Sequence, residues 1–399
     1  MNTEQKLALI KENLAEVLNP EIIDAVYAEG RDPVIYWGTA TTGRPHCGYF
    51  VPAIKIAQFL EAGCHVKILL ADIHGFLDSL KAPLPLVEAR AQYYKHTITA
   101  MLEAVGVPTE KLEFVLGSSY QKTEKYVMDV YKLAALTSEH DAKKAGAEVV
   151  KQSDNAPLSG LLYPLLQVLD EEHLGVDIQF GGVDQRKLFT AAIEWLPKLG
   201  YKQRAHLLNP LIPGLGESGK MSSSDENSKI DLLDDEATVA RKIKKALAVP
   251  KQPQGNALLA FTEYVLLPAS GIGGRKKEFI VDRSRDNLEP LVYTDIKQMN
   301  DDYAADILTP QLLKQAVTKG LNEILEPIRK KFEADKEWKE CDARAYPPPE
   351  IVKKVKKVKN KGTGYPGAKK AEENAELPLR EAGVQPSVND PPSAPQTEA

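Results

Sequence analysis

Two stretches of this chain bring together residue types that suit a phosphate. In Gly38-Thr39-Ala40-Thr41-Thr42-Gly43-Arg44-Pro45-His46-Cys47-Gly48-Tyr49, small residues let the backbone approach a ligand closely, and His46 can hydrogen-bond a polyphosphate. A helix opening at the end of this stretch would add an N-terminal dipole that attracts anions. On its own the pattern also describes a tight strand–helix connection. In Gly219-Lys220-Met221-Ser222-Ser223-Ser224 a lysine stands among hydroxyls, inside a polar stretch at 213–229, and suits a loop that closes over a transferring phosphate. A solvated linker between domains would look the same. Gly214, Gly219 and Lys220 imitate a P-loop, yet Met221 stands where that motif needs a hydroxyl for Mg²⁺.

A third group is spaced rather than contiguous. Tyr163, Gln167 and Asp170 fall at i, i+4 and i+7, one face of a helix. Leu161, Leu162, Leu165, Leu166 and Leu169 surround them with apolar surface. Polar groups buried there need partners, and a ligand is one such partner.

These groups must be positioned by an alternation of strands and helices. Short apolar runs at 34–37, 66–70, 112–116 and 176–180 read as strands, and 48–62, 84–105, 124–136, 157–174 and 185–199 as helices. Lys55, Gln58 and Glu61 leave one thin wet stripe on the first of these helices, and Gly63 is placed to cap it. Repeated strand–helix units predict an α/β fold with a doubly wound parallel sheet. Such sheets bind ligands outside the strand C-termini, where connections diverge, which points to the loops after Trp37, Leu70 and Phe180.

An amphipathic helix is expected ahead of the sheet over 3–18, with Leu7, Ile10, Leu14 and Val17 on one face. After about residue 232 the pattern turns helical, clearest at 237–247 and 311–332, so a second, α-helical domain is expected at 233–335. A flexible extension is expected over 336–399. There Pro347-Pro348-Pro349 leads into Lys353, Lys354, Lys356, Lys357, Lys359 and Lys361, and 371–399 holds five prolines and no aromatic residue, a composition that reads as disordered.

Composition narrows the function classes. Hydrophobic residues make up 43% and charged residues 27% of 399 positions, enough for a sizeable core and against a collagen or coiled-coil rod. With 51 Lys+Arg against 56 Asp+Glu, a nucleic-acid partner must be met by a local basic surface rather than by overall charge. Cys47, Cys64 and Cys341 make neither a disulfide framework nor a CxxC metal site, which suits a reducing compartment. No apolar run reaches membrane-spanning length, and the mixed charges of the first residues argue against a targeting peptide.

A phosphate-binding turn after the first strand and a lysine loop after the last fit one nucleotide held between two halves of a sheet. His46-Cys47-Gly48-Tyr49 resembles the His-Ile-Gly-His signature of class I aminoacyl-tRNA synthetases, and Lys220-Met221-Ser222-Ser223-Ser224 their Lys-Met-Ser-Lys-Ser signature. Tyr36-Trp37-Gly38-Thr39, Ala71-Asp72-Ile73-His74, Leu162-Tyr163-Pro164-Leu165-Leu166-Gln167-Val168-Leu169-Asp170 and Phe180-Gly181-Gly182-Val183-Asp184-Gln185 resemble the tyrosyl branch, in its eukaryotic cytoplasmic and archaeal form. The resemblance runs from about 30 to 335.

The resemblance implies a Rossmann-like catalytic domain over 1–232 with an insertion at about 117–160, an anticodon-binding helical domain, and a homodimer in contact around the insertion. It implies ligation of tyrosine to tRNA(Tyr) through a tyrosyl-adenylate, with ATP as substrate and Mg²⁺ on its β,γ-phosphates. Tyr36 and Asp170 match the family pair that reads the phenol hydroxyl. Tyr163, Gln167 and Gln185 match the residues that hold the substrate ammonium. Asp184 matches the residue on the ATP ribose, with Gly182 letting the backbone close on the nucleotide. His46, Gly48, Tyr49 and Lys220 to Ser224 match the ATP signatures, His46 and Lys220 supplying charge at the phosphates; no metal ligand is assigned. Cys47 reads as a filler beside His46.

Two departures stand out: Tyr49 replaces a histidine, and Ser223 replaces a lysine, removing a cation from the loop. Thr309-Pro310-Gln311-Leu312 stands where related enzymes carry His-Pro-x-Asp. The location implied is the cytoplasm. The lysines at 353–361 fit a solvated tail, a contact to tRNA backbone or a nuclear address. A tryptophanyl enzyme is the neighbouring alternative, disfavoured because an indole N–H does not call for Tyr36 with Asp170. A catalytically silent RNA-binding relative is another, disfavoured by intact His46, Gly48 and Lys220.

Overall fold

The computed structural model describes residues 1–79, 82–107, 112–150, 157–216 and 229–348. Helix α1 (Thr3–Lys11) opens on a capping box, in which the Asn2 side chain accepts the Gln5 amide and the Gln5 side chain accepts the Asn2 amide. It does not run on to 18 as its apolar spacing predicts. Asn13 takes a left-handed φ of 55°, and Val17 joins strand β1 (Glu16–Leu18) instead. The expected apolar face still packs on the core, from a helix, a turn and a strand in succession.

After α2 (Pro20–Ala28) the chain alternates as predicted: β2 (Val34–Thr39), α3 (Phe50–Glu61), β3 (His65–Leu70), α4 (Asp72–Ser79), α5 (Leu84–Ala104) and β4 (Leu112–Leu116). Helices α6 (Gly117–Tyr120), α7 (Glu124–Leu136) and α8 (Glu139–Ala145) follow. Then come α9 (Ser159–His173), β5 (Ile178–Gly182), α10 (Arg186–Trp195) and β6 (Ala205–Asn209). No run in the sequence marks β6, whose five residues include a buried histidine.

The six strands lie in the order β1-β6-β5-β2-β3-β4. All neighbours are parallel except the edge pair β1 and β6. From central β2 the chain proceeds toward β3 and later returns on the other side through β5, so a crevice opens between the C-terminal ends of β2 and β5. Ile35, Tyr36 and Trp37 of β2 are buried, as a strand covered on both faces requires.

The wet stripe expected on α3 holds at Gln58 and Glu61 and is corrected at Lys55. Lys55 is only 3% exposed. Its ammonium donates to the Leu9 carbonyl at 2.8 Å, the Glu12 carbonyl at 2.7 Å and Gln58 Oε1 at 3.0 Å. It thereby satisfies carbonyls at the end of α1 that no helical amide reaches. Burial pulls this ammonium down to about 7, against the opposing charge of Glu12. The residue staples α1 to α3.

The later residues form α11 (Glu236–Lys245), α12 (Ala257–Phe261), α13 (Leu267–Gly271), a hairpin of β7 (Phe279–Val281) and β8 (Leu291–Tyr293), α14 (Ile296–Ala304) and α15 (Pro310–Ala334). Thr309 caps α15, its hydroxyl accepting the Leu312 amide, and Pro310 takes the first helical position. The departure at 309–312 thus builds a helix start.

Residues 336–348, expected in the flexible extension, belong instead to the compact unit Met1–Pro348. Helix α16 (Lys336–Ala345) is capped by Asp335, which accepts the Trp338 amide at 2.9 Å. It buries Trp338, Cys341 and Ala345 along one face. Composition hid that stripe because six of the helix's ten residues are charged. The lysines at 353–361 and the rest of 349–399 lie outside the described residues. Among the described residues no helix is long and apolar enough to cross a membrane.

Candidate active site

A cavity of about 880 Å³ occupies the crevice between β2 and β5. It is lined by Tyr36, His46, Gly48, Tyr49, Tyr163, Gln167, Asp170, Gly182, Asp184 and Gln185. Ten site residues named from the sequence therefore meet in one space, carried by β2, the turn after it, α9 and the end of β5. Lys220, Met221, Ser222, Ser223 and Ser224 lie outside the described residues.

At the inner end, Asp170 on α9 is fully buried. Its Oδ1 accepts from Tyr120 Oη, Gln121 Nε2 and Tyr126 Oη, each at 2.8 Å. Its Oδ2 has no partner. The hydroxyl of Tyr36, also fully buried, has none either. A buried polar group without a partner costs about 1–3 kcal/mol, so two of them lining one cavity describe a slot for a group that both donates and accepts. Burial pushes the Asp170 carboxyl up to about 7, while the three donors oppose it. Burial, then the charge of Asp170, pushes the Tyr36 hydroxyl up, which keeps it a neutral donor.

His74 Nε2 lies 3.8 Å from Asp170 Oδ2. Burial holds this imidazole down at about 4, so it is neutral and the two do not form an ion pair. The His74 ring meets the Tyr163 ring edge to face at 4.7 Å.

Beside this slot the cavity is ringed by acceptors. Gln167 Nε2 donates to Gln185 Oε1 at 3.0 Å, and Gln185 Nε2 to Asp184 Oδ1 at 3.3 Å. Asp78 of α4 also lines the cavity. Burial, and then the charges of Asp78, Asp170 and Asp184, push the Tyr163 hydroxyl up. Three carboxylates around one polar wall favour a cation there. A methyl group on Gly182 would come within 2.7 Å of Asp184 Oδ1, so glycine lets that carboxylate lie against the end of β5.

At the outer end, Cys47–Tyr49 form a 3₁₀ turn ahead of α3. The helix N-terminus expected here is present, with its first amides already engaged. The Cys47 amide donates to the Ile230 carbonyl at 2.9 Å, the Gly48 amide to His46 Nδ1 at 3.1 Å and the Tyr49 amide to the His46 carbonyl at 2.8 Å. What the turn offers an anion is the dipole and the His46 side chain. Burial, then the nearby charge of Lys229, holds His46 down at about 4. With Nδ1 engaged as an acceptor, the neutral ring carries its proton on Nε2. His46 is therefore a hydrogen-bond donor and not a second cation. Tyr49 braces it, ring against ring at 5.5 Å and nearly perpendicular. Cys47 is fully buried, with its thiol pushed up by burial, and fills space as the sequence suggested.

The same turn is held from outside by the C-terminal residues. Tyr346 Oη and Tyr94 Oη both donate to the Gly43 carbonyl, at 2.8 and 2.5 Å. Arg44 Nη1 donates to Asp342 at 2.6 Å, and its guanidinium lies 4.3 Å from the Tyr346 ring centroid.

Sequence reasoning missed His74, Asp78, Tyr120, Gln121 and Tyr126. His74 sat within a quoted motif but was given no role. The donors to Asp170 lie 44 to 50 positions before it, beyond any local spacing rule. A buried carboxylate signals that donors exist and not which they are.

The family described as tRNA synthetases class I (W and Y) matches residues 28–326. The cytoplasmic tyrosine–tRNA ligase of Saccharomyces cerevisiae is 52% identical over 380 residues, which cover 94% of this chain and 96% of that one. The cytoplasmic tyrosine–tRNA ligase of Danio rerio is 52% identical over 349 residues, covering 88% of this chain and 64% of that one. A tyrosyl-tRNA synthetase from Archaeoglobus fulgidus, solved with L-tyrosine, superposes with a TM-score of 0.76 at 34% identity, covering 83% of this chain and 99% of that one. A tryptophanyl-tRNA synthetase from Giardia lamblia shares the fold alone, at a TM-score of 0.62 and 17% identity. Sheet order, cavity and sequence agree, and the chain belongs to the class I tRNA synthetases of the tryptophan and tyrosine type.

Proposed function

We infer that this chain is a cytoplasmic tyrosine–tRNA ligase that activates L-tyrosine with ATP and transfers it to tRNA(Tyr). The observation that carries the amino acid is the pair of unpartnered buried atoms, Tyr36 Oη and Asp170 Oδ2. A phenol hydroxyl placed there donates to Asp170 and accepts from Tyr36, removing both deficits at once. An indole N–H could satisfy Asp170 and would leave Tyr36 unmet. Asp78, Tyr163, Gln167 and Gln185 receive the ammonium, Asp184 the ribose, and His46 the phosphates.

In the first step an oxygen of the tyrosine carboxylate attacks the α-phosphorus of ATP. The bond to the bridging oxygen of the β-phosphate breaks, and pyrophosphate leaves. In the second, the 2′- or 3′-hydroxyl of the terminal tRNA adenosine attacks the tyrosyl carbonyl. It loses its proton as AMP departs. Neither step calls for a covalent enzyme nucleophile, so rate comes from positioning and from charge stabilisation. His46 Nε2–H stabilises the phosphates as a fixed dipole, and Lys220 is the cation assigned there. Mg²⁺ fits as a companion of the nucleotide, held by phosphate oxygens and water. Among the described residues no cluster of three or more His, Cys, Asp or Glu could cage it.

Met128, Tyr131 and Leu136 of α7 are exposed, which supports a second copy of the chain covering the insertion. The lysines at 353–361 are proposed as an auxiliary grip on tRNA backbone.

ATP–pyrophosphate exchange measured with tyrosine, with tryptophan and with no amino acid tests the assignment. Exchange is expected with tyrosine alone. Exchange with tryptophan would reassign the slot, and none with either would mark a silent relative. A second expectation concerns the support of Asp170. Tyr126→Phe keeps the ring against His173 and removes a hydroxyl shared between Asp170 Oδ1 and the Leu166 carbonyl. A hydrogen bond to a charged group is worth about 1.5–3 kcal/mol, so KM for tyrosine should rise roughly tenfold or more, with KM for ATP unchanged.

A further inference from the structure

The phosphate turn is also anchored by residues that do not line the cavity. Backbone at 230–231 pairs with it: the Cys47 amide donates to the Ile230 carbonyl, and His46 and Asp231 form an antiparallel bridge. That backbone is fixed by Asp234. Its Oδ2 accepts the Asp231 amide at 2.9 Å and the Lys242 ammonium of α11 at 2.6 Å. Its carbonyl accepts Arg329 Nη1 of α15 at 2.8 Å, and Arg329 in turn donates to Asn322. The Lys242–Asp234 pair is largely buried, with side chains 10% and 16% exposed. A buried pair of this kind is specific in geometry and costly to break by removing one member.

We propose that Asp234, held by Lys242 and Arg329, is a positioning residue for tyrosyl-adenylate formation, setting the backbone on which His46 is mounted. Two helices of the C-terminal half thereby fix a donor at the phosphate end of the cavity. Misplacement of a reacting group by about 1 Å can cost about 10²-fold in rate, so loosening this mount lowers turnover in the ATP step. Tyrosine binding is untouched, because Asp170 and Tyr36 stand on α9 and β2.

The assignment rests on the phosphate role given to His46, and the test separates the two. ATP–pyrophosphate exchange is measured on the full chain for Lys242→Met, Lys242→Arg, His46→Asn and the double variant Lys242→Met with His46→Asn. Lys242→Met is expected to lower kcat about tenfold, with KM for tyrosine within about twofold. Lys242→Arg, which can still reach Asp234, restores most of the loss. The double variant is no slower than His46→Asn alone, because both changes act through one donor. A Lys242→Met enzyme that melts like the parent and turns over normally overturns the proposal. So does a loss shared by tyrosine affinity, an unrescued Lys242→Arg, or full additivity in the double variant. A normal His46→Asn enzyme overturns the His46 role and the mount with it, whereas a crippled His46→Asn beside a normal Lys242→Met overturns the mount alone.

Discussion

Asp170→Ala is expected to lower kcat/KM for tyrosine in ATP–pyrophosphate exchange by about 10²–10³-fold, leaving KM for ATP near its parent value. Removing one member of a buried, charged hydrogen-bonded set costs about 2–5 kcal/mol, and here both sides of the residue lose. The phenol loses its acceptor at Oδ2, and Tyr120, Gln121 and Tyr126 are left aimed at a void. Asp170→Asn divides the two effects. Its Oδ1 can keep the three donors, while an N–H₂ replaces the open acceptor. The asparagine variant should therefore melt closer to the parent and still lose selectivity against phenylalanine. Synthetases that read this hydroxyl reject phenylalanine by about 10⁵-fold, a figure that belongs to the tyrosyl enzymes as a class and is not obtained from this geometry. Near-normal exchange by Asp170→Ala would show that the phenol slot is misassigned.

The elevated carboxyl of Asp170 gives this prediction a pH arm. Only the ionised form accepts the phenol proton. Burial places the titration at about 7, so tyrosine affinity should fall as pH drops below 7. Stability of the ligand-free chain moves the opposite way. A folded-state value raised above the ordinary 3.8 means this group's contribution is fully present below that value and is lost as pH rises through about 7. Tyrosine should therefore raise Tm more at pH 8 than at pH 5.5, and a flat or reversed dependence would contradict the assignment.

His46→Asn is expected to slow adenylate formation about 10²–10³-fold, the usual loss when one preorganised donor to a transition-state oxyanion is removed. Tyrosine binding should persist. Asparagine can keep the capping bond to the Gly48 amide, so the turn survives while the Nε2 donor is gone. His46→Gln does the reverse, extending an N–H toward the Nε2 position and abandoning the cap. The glutamine variant should be the more active and the less stable of the two. Because burial keeps the His46 ring neutral down to about 4, no step near pH 6.5 should come from this residue. If the two variants are equally slow, the cap and not the donor carries the effect.

How much of this was legible beforehand follows from the physics of each residue. The strands at β2, β3 and β4 and the face formed by Tyr163, Gln167 and Asp170 are local patterns, and the structure places them as read. Lys55 was misjudged because periodicity places a lysine on a face but cannot see carbonyls of α1 arriving across that face. The early end of α1 turns on one left-handed asparagine that spacing does not register. The turn at 46–49 was found by its residue types. Residue types do not show which amides the fold will engage, and those of 47–49 pair with Ile230 and His46. The roles of Asp170, Tyr36, Gln185 and Asp184 came from likeness to known enzymes, since nothing local to Asp170 says which hydroxyls will surround it.

The packing of Tyr346 and Asp342 against Gly43 and Arg44 bears on how this protein can be trimmed. Cleavage after α15 would keep every signature residue and the whole sheet, and it would strip one wall from the loop proposed to face ATP. A product of that kind would pass any motif check and still be a poor enzyme. Only a cut beyond Tyr346 spares these contacts.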